Sequence, residues 1–217
     1  MAERETQRED LRERIVEAAR DIVGEEGLDA LSMRALGVRI GHSPGTIYQH
    51  FQDKDELLRS VMEEGFKRLG ASMEREVEKL PAGAGPLDHY AATGRGYARF
   101  ALENTGYFRA IFKMPQVAHL EGCPEAPDPD LEISPEASKT RGPELLRRAV
   151  EAGELAVDDP ERAAVVGWGL IHGLTSLYLS GHLGDRVGSH EEFMELVENA
   201  MEAIGQGWLP RAGGTDA

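Results

Sequence analysis

The sequence predicts an all-α protein: an N-terminal three-helix domain containing a helix-turn-helix, joined by a long fourth helix to a C-terminal helical bundle. Three observations carry this. Apolar residues recur at helical spacing, as in Leu11, Ile15, Ala18, Ala19, Ile22 and Val23, which form one face of a helix of about four turns. No segment alternates polar and apolar residues as a half-buried strand does. Helix start and stop signals also stand at most of the breaks between the periodic segments.

The elements follow in order. Gly27 stops the first helix as a C′ glycine. Ser32 caps the second, which carries Leu36 and Ile40 on one face and ends near Gly41. Gly41-His42-Ser43 is a tight turn. Ser43 then caps a short helix opening on Pro44, whose missing N–H costs nothing at that position, and running to about Phe51. Asp53 and Glu56 resemble a capping box for the fourth helix, whose apolar positions from Leu57 to Met73 carry it to about Leu80. The small-residue break 81–86 marks a boundary between domains at 8–68 and 82–210, with the helix-turn-helix at about 31–51.

Helices are expected next at about 87–104 and 107–113. Residues 114–135 are proline-rich and acidic and predict a mobile loop. Ser134 opens a helix to about Ala152, interrupted at Gly142-Pro143 and closed by Gly153. Asp158/Asp159-Pro160-Glu161 starts a nearly uncharged helix over about 160–180, expected to be buried on several sides. Ser189 with Glu192 forms a capping box for the last helix, whose apolar positions run from Phe193 to Ile204.

Composition narrows the function classes. At 29% charged and 41% hydrophobic residues the chain is an ordinary soluble protein, and no apolar run approaches the ~20 residues that span a bilayer. The charged N-terminus lacks a signal peptide's apolar core, and the single cysteine, Cys123, excludes an intramolecular disulfide. A cytoplasmic location fits both. Cys123 is either a redox sensor or a bystander. A net charge of −15 argues against non-specific coating of nucleic acid. Between 31 and 54, however, Arg34, Arg39 and Lys54 face only Asp53, so the turn region is locally basic.

A helix, a short glycine-opened turn and a second helix have the shape of a DNA-binding helix-turn-helix. Ser43, Thr46, Tyr48, Gln49 and His50 offer hydrogen bonds there, while Ile47 and Phe51, four apart, face inward. Lys54 opposes the dipole of the fourth helix, and a phosphate partner explains a cation at that place better than helix stability does.

The stretch LSMRALGVRIGHSPGTIYQHFQDKDELLRSV, beginning at Leu31, resembles the N-terminal domain of the TetR family of bacterial repressors. The resemblance covers about residues 10–65. It implies a homodimer with recognition helices in successive major grooves of double-stranded operator DNA, and a C-terminal ligand domain. It places phosphate contacts at Thr46, Tyr48, His50 and Lys54, and base contacts at Ser43, Pro44 and Gly45, with Gln49 on the exposed face. Arg34 matches a position that reaches a base or phosphate in some members; the alternative is a solvated Arg. Two departures stand out: Gly37 and His42 replace the usual alanine and aliphatic residue. Gly37 would weaken its helix by roughly 0.5–1 kcal/mol relative to alanine. His42 is either half-buried with a ring nitrogen on the backbone or turned outward.

Further on, Trp168-Gly-Leu-Ile-His172-Gly173, preceded by an aromatic-rich block, resembles the TetR C-terminal type named for its Trp-His-Gly signature. Tyr97, Phe100, Tyr107, Phe108, Phe112, Trp168, His172 and Tyr178 are either lining for an apolar effector cavity or plain core. Gly167, Gly169 and Gly173 would let another helix approach, and the last two helices together would complete a four-helix interface with a twofold mate.

No phosphate loop, zinc-protease motif or nucleophile elbow is present, and the seven histidines show no paired metal spacing. Neither an enzyme nor a cofactor or metal site is expected. The sequence therefore predicts a homodimeric repressor released from a palindromic operator by a small, largely apolar effector. The alternative is a small-molecule-binding bundle without operator-specific DNA binding, which the −4 balance of residues 1–68 keeps open.

Overall fold

A computed structural model of the chain describes residues 2–113 and 135–209. Among these are nine α-helices and no strand: α1 Ala2–Glu26, α2 Met33–Ile40, α3 Pro44–Tyr48, α4 Lys54–Val77, α5 Pro86–Glu103, α6 Thr105–Lys113, α7 Pro135–Glu151, α8 Pro160–Leu179 and α9 His190–Trp208. The expected loop over 114–135, with Cys123, lies almost wholly outside the described residues, as does Ser134.

Local chemistry places most boundaries. Ser32 Oγ accepts from Ala35 N–H, Ser43 Oγ from Thr46 N–H, Asp159 from Arg162 N–H and Ser189 Oγ from Glu192 N–H, each satisfying an orphan donor of the first turn. Gly41 closes α2 at φ 72°, the left-handed region open to glycine. After α7, Gly153 N–H donates to Val150 O and Glu154 N–H to Ala149 O, a Schellman closure.

Three boundaries differ from expectation. α3 stops at Tyr48 because Gln49 and His50 N–H donate to the carbonyls three residues back, at 3.2 and 2.9 Å, tightening the last turn. At the start of α4, Glu56 N–H donates to Asp53 Oδ1, but the Glu56 carboxylate accepts from Gln52 N–H, one residue before the position a capping box would use, and Glu192 does the same with Gly188 N–H ahead of α9. α7 runs through Pro143 without interruption. A proline removes one intrahelical bond, and the helix is pinned just beyond it by the buried Leu145, Leu146 and Ala149.

The chain forms two compact units, Met1–Lys67 with Asn104–Asp130, and Arg68–Glu103 with Leu131–Ala217. The first unit is built around Ile15, Ala19, Val23, Leu36, Ile47, Phe51, Leu57 and Val61, each at most 1% exposed. α6 belongs to it because the buried Tyr107 lies under the Arg20 guanidinium of α1, 4.9 Å from the ring centroid. In the second unit a Cβ on Gly96 of α5 would stand 2.4 Å from Met73 Cα, so glycine is what lets α5 meet the α4 backbone. Ser72 Oγ seals the approach by donating to Gly96 O at 2.9 Å. Glu76, almost fully buried, accepts from Arg99 at 2.7 Å and from Lys79.

The expectation that α8 is buried on several sides holds for one side only. Ala164, Gly167, Ile171 and Thr175 face the interior, whereas Val165, Val166, Trp168 and Leu177 are 43–63% exposed.

The glycine at 37, one of the two departures in the helix-turn-helix, is explained by the backbone of the turn. His42 O approaches α2 so closely that a Cβ on Gly37 would stand 2.6 Å from it, and His42 N–H donates to Gly37 O at 2.9 Å. Gly37 is therefore the space that admits the turn. Alanine has the better helix propensity by about 1 kcal/mol, yet Gly37→Ala is expected to lower stability by about 1–3 kcal/mol through overpacking against backbone. Urea unfolding of the two proteins measures it, and a stabilised Gly37→Ala would show that the turn yields freely.

Candidate functional site

The surface formed by α2, the turn and α3 collects the polar residues singled out in the sequence. Ile47 and Phe51 are buried beneath it, at 0% and 1% exposure. Above them Ser43, Pro44, Gly45, Tyr48 and Gln49 are exposed, while Thr46 and His50 are half-buried. The Ser43 and Thr46 hydroxyls are hydrogen-bonded to each other at 3.0 Å, so the capping serine also orients the threonine. Arg34 is exposed on α2, with no hydrogen bond or ion pair among the described residues. His42 is half-buried, without the ring-to-backbone bond considered for it.

Two expected cations are committed elsewhere. Lys54 Nζ donates to Leu28 O at 2.9 Å, tying the start of α4 to the turn between α1 and α2. This internal partner accounts for a cation in a turn where the dipole disfavours one. Two ammonium protons remain for other acceptors. Arg39 is ion-paired with Glu25 at 2.8 Å and Glu26 at 3.3 Å, which removes it from the basic patch.

Two cations absent from the sequence-based set stand at the other end of α3. Arg8 of α1 donates to Gln49 O at 3.4 Å. Arg12, one turn on, donates to Ser60 Oγ at 3.1 Å and lies 4.7 Å from the Phe51 ring centroid. His50 sits in their field. Desolvation, then the charges of Arg8, Arg12 and His42, hold its imidazole below its ordinary pKa. The only sequence signal for these arginines is their four-residue spacing beside the apolar face of α1.

The eight aromatic and histidine residues proposed for a pocket fall into separate groups. Tyr107, Phe108 and Phe112 belong to the first unit, where the Phe108 and Phe112 rings stand 4.9 Å apart. In the second unit Tyr97 O–H and His172 Nδ1 are 2.7 Å apart, and the Trp168 ring lies 5.5 Å from His172. Burial holds the Tyr97 phenol well above its ordinary pKa and the His172 imidazole below its own. Nearby in sequence, Thr175 Oγ1 is buried without a hydrogen-bond partner among the described residues. Phe100 is fully buried, and Tyr178 stacks on Phe193 at 4.4 Å. An open cleft of about 410 Å³ also lies in this unit, but its lining includes Glu76, Arg95, Arg99 and Glu198 and is charged rather than apolar.

Among the described residues no group of three His, Cys, Asp or Glu could hold a metal ion. No helix there is long and apolar enough to cross a membrane.

Comparison with known proteins matches both units. Residues 15–61 fit the family described as bacterial regulatory proteins, tetR family, and residues 90–201 fit the tetracyclin repressor-like C-terminal domain. The transcriptional regulator UidR of Escherichia coli K12 is 33% identical over 76 residues, 35% of this chain and 39% of that protein. The repressor KstR of Mycobacterium tuberculosis H37Rv is 38% identical over 83 residues, 38% of this chain and 36% of that protein. The chain thus spans less than half the length of these relatives. Among solved structures, a Rhodococcus sp. RHA1 protein described as of unknown function superposes with TM-score 0.68 at 26% identity, covering 92% of this chain and 96% of that one. A structure described as the molecular basis for control of antibiotic production by bacterial hormones has TM-score 0.60 at 26% identity, covering 89% and 97%.

Burial of His172 carries a pH dependence. Its folded pKa lies below the ordinary imidazole value, about 6.5, so below that pH the unfolded chain binds the extra proton. Stability is complete above about pH 6.5 and is lost as pH falls toward the folded pKa. Thermal melts between pH 8 and 5 are expected to show this loss, with a shallower slope for His172→Gln. Equal slopes would assign the proton elsewhere.

Proposed function

The chain belongs to the TetR family of bacterial regulatory proteins, and on that premise we propose that it is a homodimeric, ligand-responsive repressor of transcription. The observation that carries the reading is the surface of α2 and α3: exposed polar side chains on a short helix anchored from below by Ile47 and Phe51. Thr46, Tyr48 and His50 donate to DNA phosphates, and Lys54 adds its two uncommitted protons. Ser43, Pro44 and Gly45 are small enough to bring the backbone against base edges in the major groove, and Gln49 reads from the exposed face. Arg34, with no partner in the described chain, takes a guanine edge or a phosphate.

The exposed row Val165, Val166, Trp168 and Leu177 on α8 supports association through α8 and α9 as a twofold four-helix interface. Such a dimer suits a palindromic operator with half-sites about 34–36 Å apart, or a multiple of that. In the second unit the buried, unpartnered Thr175 hydroxyl and the Tyr97–His172 pair favour a largely apolar effector that also carries a hydrogen-bonding group. α4, whose residues are shared by both units, gives such a ligand a covalent route to the DNA-contacting helices. To act as a switch, the effector must bind more tightly to the arrangement that DNA disfavours.

Binding to a duplex from immediately upstream of the protein's own coding sequence tests the reading. Tyr48→Phe removes one uncharged donor, so affinity is expected to fall roughly ten-fold with the salt dependence unchanged. A wild-type protein that gives no salt-sensitive, sequence-selective shift would instead be a ligand-binding bundle. Val165→Glu is expected to convert the dimer to monomer in sedimentation runs and to weaken operator binding in parallel. A dimer that survives this change would move the interface off α8.

A further inference from the structure

We propose that Arg8 and Arg12 of α1 form, with His50, a phosphate-binding site at the end of α3, so that the first helix of the chain also grips DNA. The proposal rests on the DNA-binding reading above and extends it to residues outside the helix-turn-helix.

Position is the first support. The two guanidinium groups are held against residues 49–51, one on the Gln49 carbonyl and the other over the Phe51 ring. They therefore stand on the two residues that flank His50 in the chain. Availability is the second. In a chain with 39 acidic residues against 24 basic ones, arginines are readily neutralised. Arg20, Arg39, Arg75 and Arg147 each contact a carboxylate. Neither Arg8 nor Arg12 is in an ion pair among the described residues; their recorded partners are a carbonyl, a hydroxyl and an aromatic ring. At about 100° per residue, Arg12 lies some 40° round α1 from Arg8, so the two guanidinium groups leave the helix from one face.

Preorganisation is the third. Ring stacking and the Ser60 bond restrict the Arg12 side chain before any ligand arrives, which lowers the ordering cost of binding. Desolvation first, then the positive charges of Arg8, Arg12 and His42, hold the His50 imidazole below its ordinary pKa, and an anion seated there would offset those charges. A phosphate there would take charge-assisted hydrogen bonds from the two guanidinium groups, Arg being suited to forked contacts of this kind. It would also supply attraction that Arg39, bound to Glu25 and Glu26, cannot.

Salt titration of binding to the upstream duplex tests the site. Each phosphate contact contributes about 0.9 to the slope of log affinity against log salt. Because each substitution is present in both protomers of the dimer, Arg8→Gln is expected to reduce that slope by about two, and Arg8→Gln/Arg12→Gln by about four, with a weaker affinity for every duplex sequence. Arg14→Gln removes the same charge from a position roughly 240° round α1 from Arg8 and is expected to leave the slope unchanged. Melting curves accompany each variant because Arg12 packs on Phe51. If the double variant unfolds, Arg8→Gln carries the test, since its exposed head makes only the 3.4 Å bond. A wild-type slope retained in Arg8→Gln, or an equal drop in Arg14→Gln, overturns the site while leaving the DNA-binding reading intact. Absence of salt-sensitive binding by the wild type overturns both.

Discussion

Burial of Ile47 and Phe51 is the contact on which the DNA-facing surface depends. α3 is five residues long, far below the length at which a helix stands alone in water. It persists because these two side chains, four apart, sink fully into the first unit, contributing about 1.5–3 kcal/mol each. The Ser43 cap and Pro44 set where the helix starts; the buried pair sets which way it faces. Every exposed side chain from Ser43 to Gln49 inherits its direction from that anchoring. The same pair brings Phe51 under Arg12, so the core of the unit also positions a cation at its surface.

What was legible in the sequence is what local chemistry decides. Ser32, Ser43, Asp159 and Ser189 each cap the helix they were expected to cap, and Gly41 and Gly153 end theirs. A cap needs only residues three or four apart. The fate of the cations was not legible, because their partners are distant in sequence: Lys54 finds a carbonyl 26 residues back, Arg39 finds Glu25 and Glu26, and Arg8 reaches a carbonyl 41 residues on. A charge count over 31–54 assigns to that segment a field whose members are partly neutralised or held from outside it.

The aromatic residues failed to converge for a related reason. Periodicity says that Tyr97, Tyr107 and Trp168 each lie on a helix, not which unit buries each helix. α6 packs on α1 and takes Tyr107 and Phe108 into the first unit, whereas Tyr97 and His172 meet across α5 and α8 in the second. Apolar character likewise overstated the burial of α8. A hydrophobic residue needs a covering surface, and for Val165 and Trp168 the described residues do not provide one.

Gly37 and His42 have a bearing on how this helix-turn-helix can vary. The His42 carbonyl occupies the volume that a Cβ at position 37 would take, and the same residue's N–H holds the turn there. Almost any residue at 42 carries that carbonyl and N–H, so it is the path of the turn, not the histidine side chain, that calls for glycine at 37. A lineage with the close turn can acquire alanine at 37 only after the turn has withdrawn, and the reverse order passes through an overpacked intermediate. Glycine at 37 and the close path of the turn thus form one coupled feature, and a change in either strains the other.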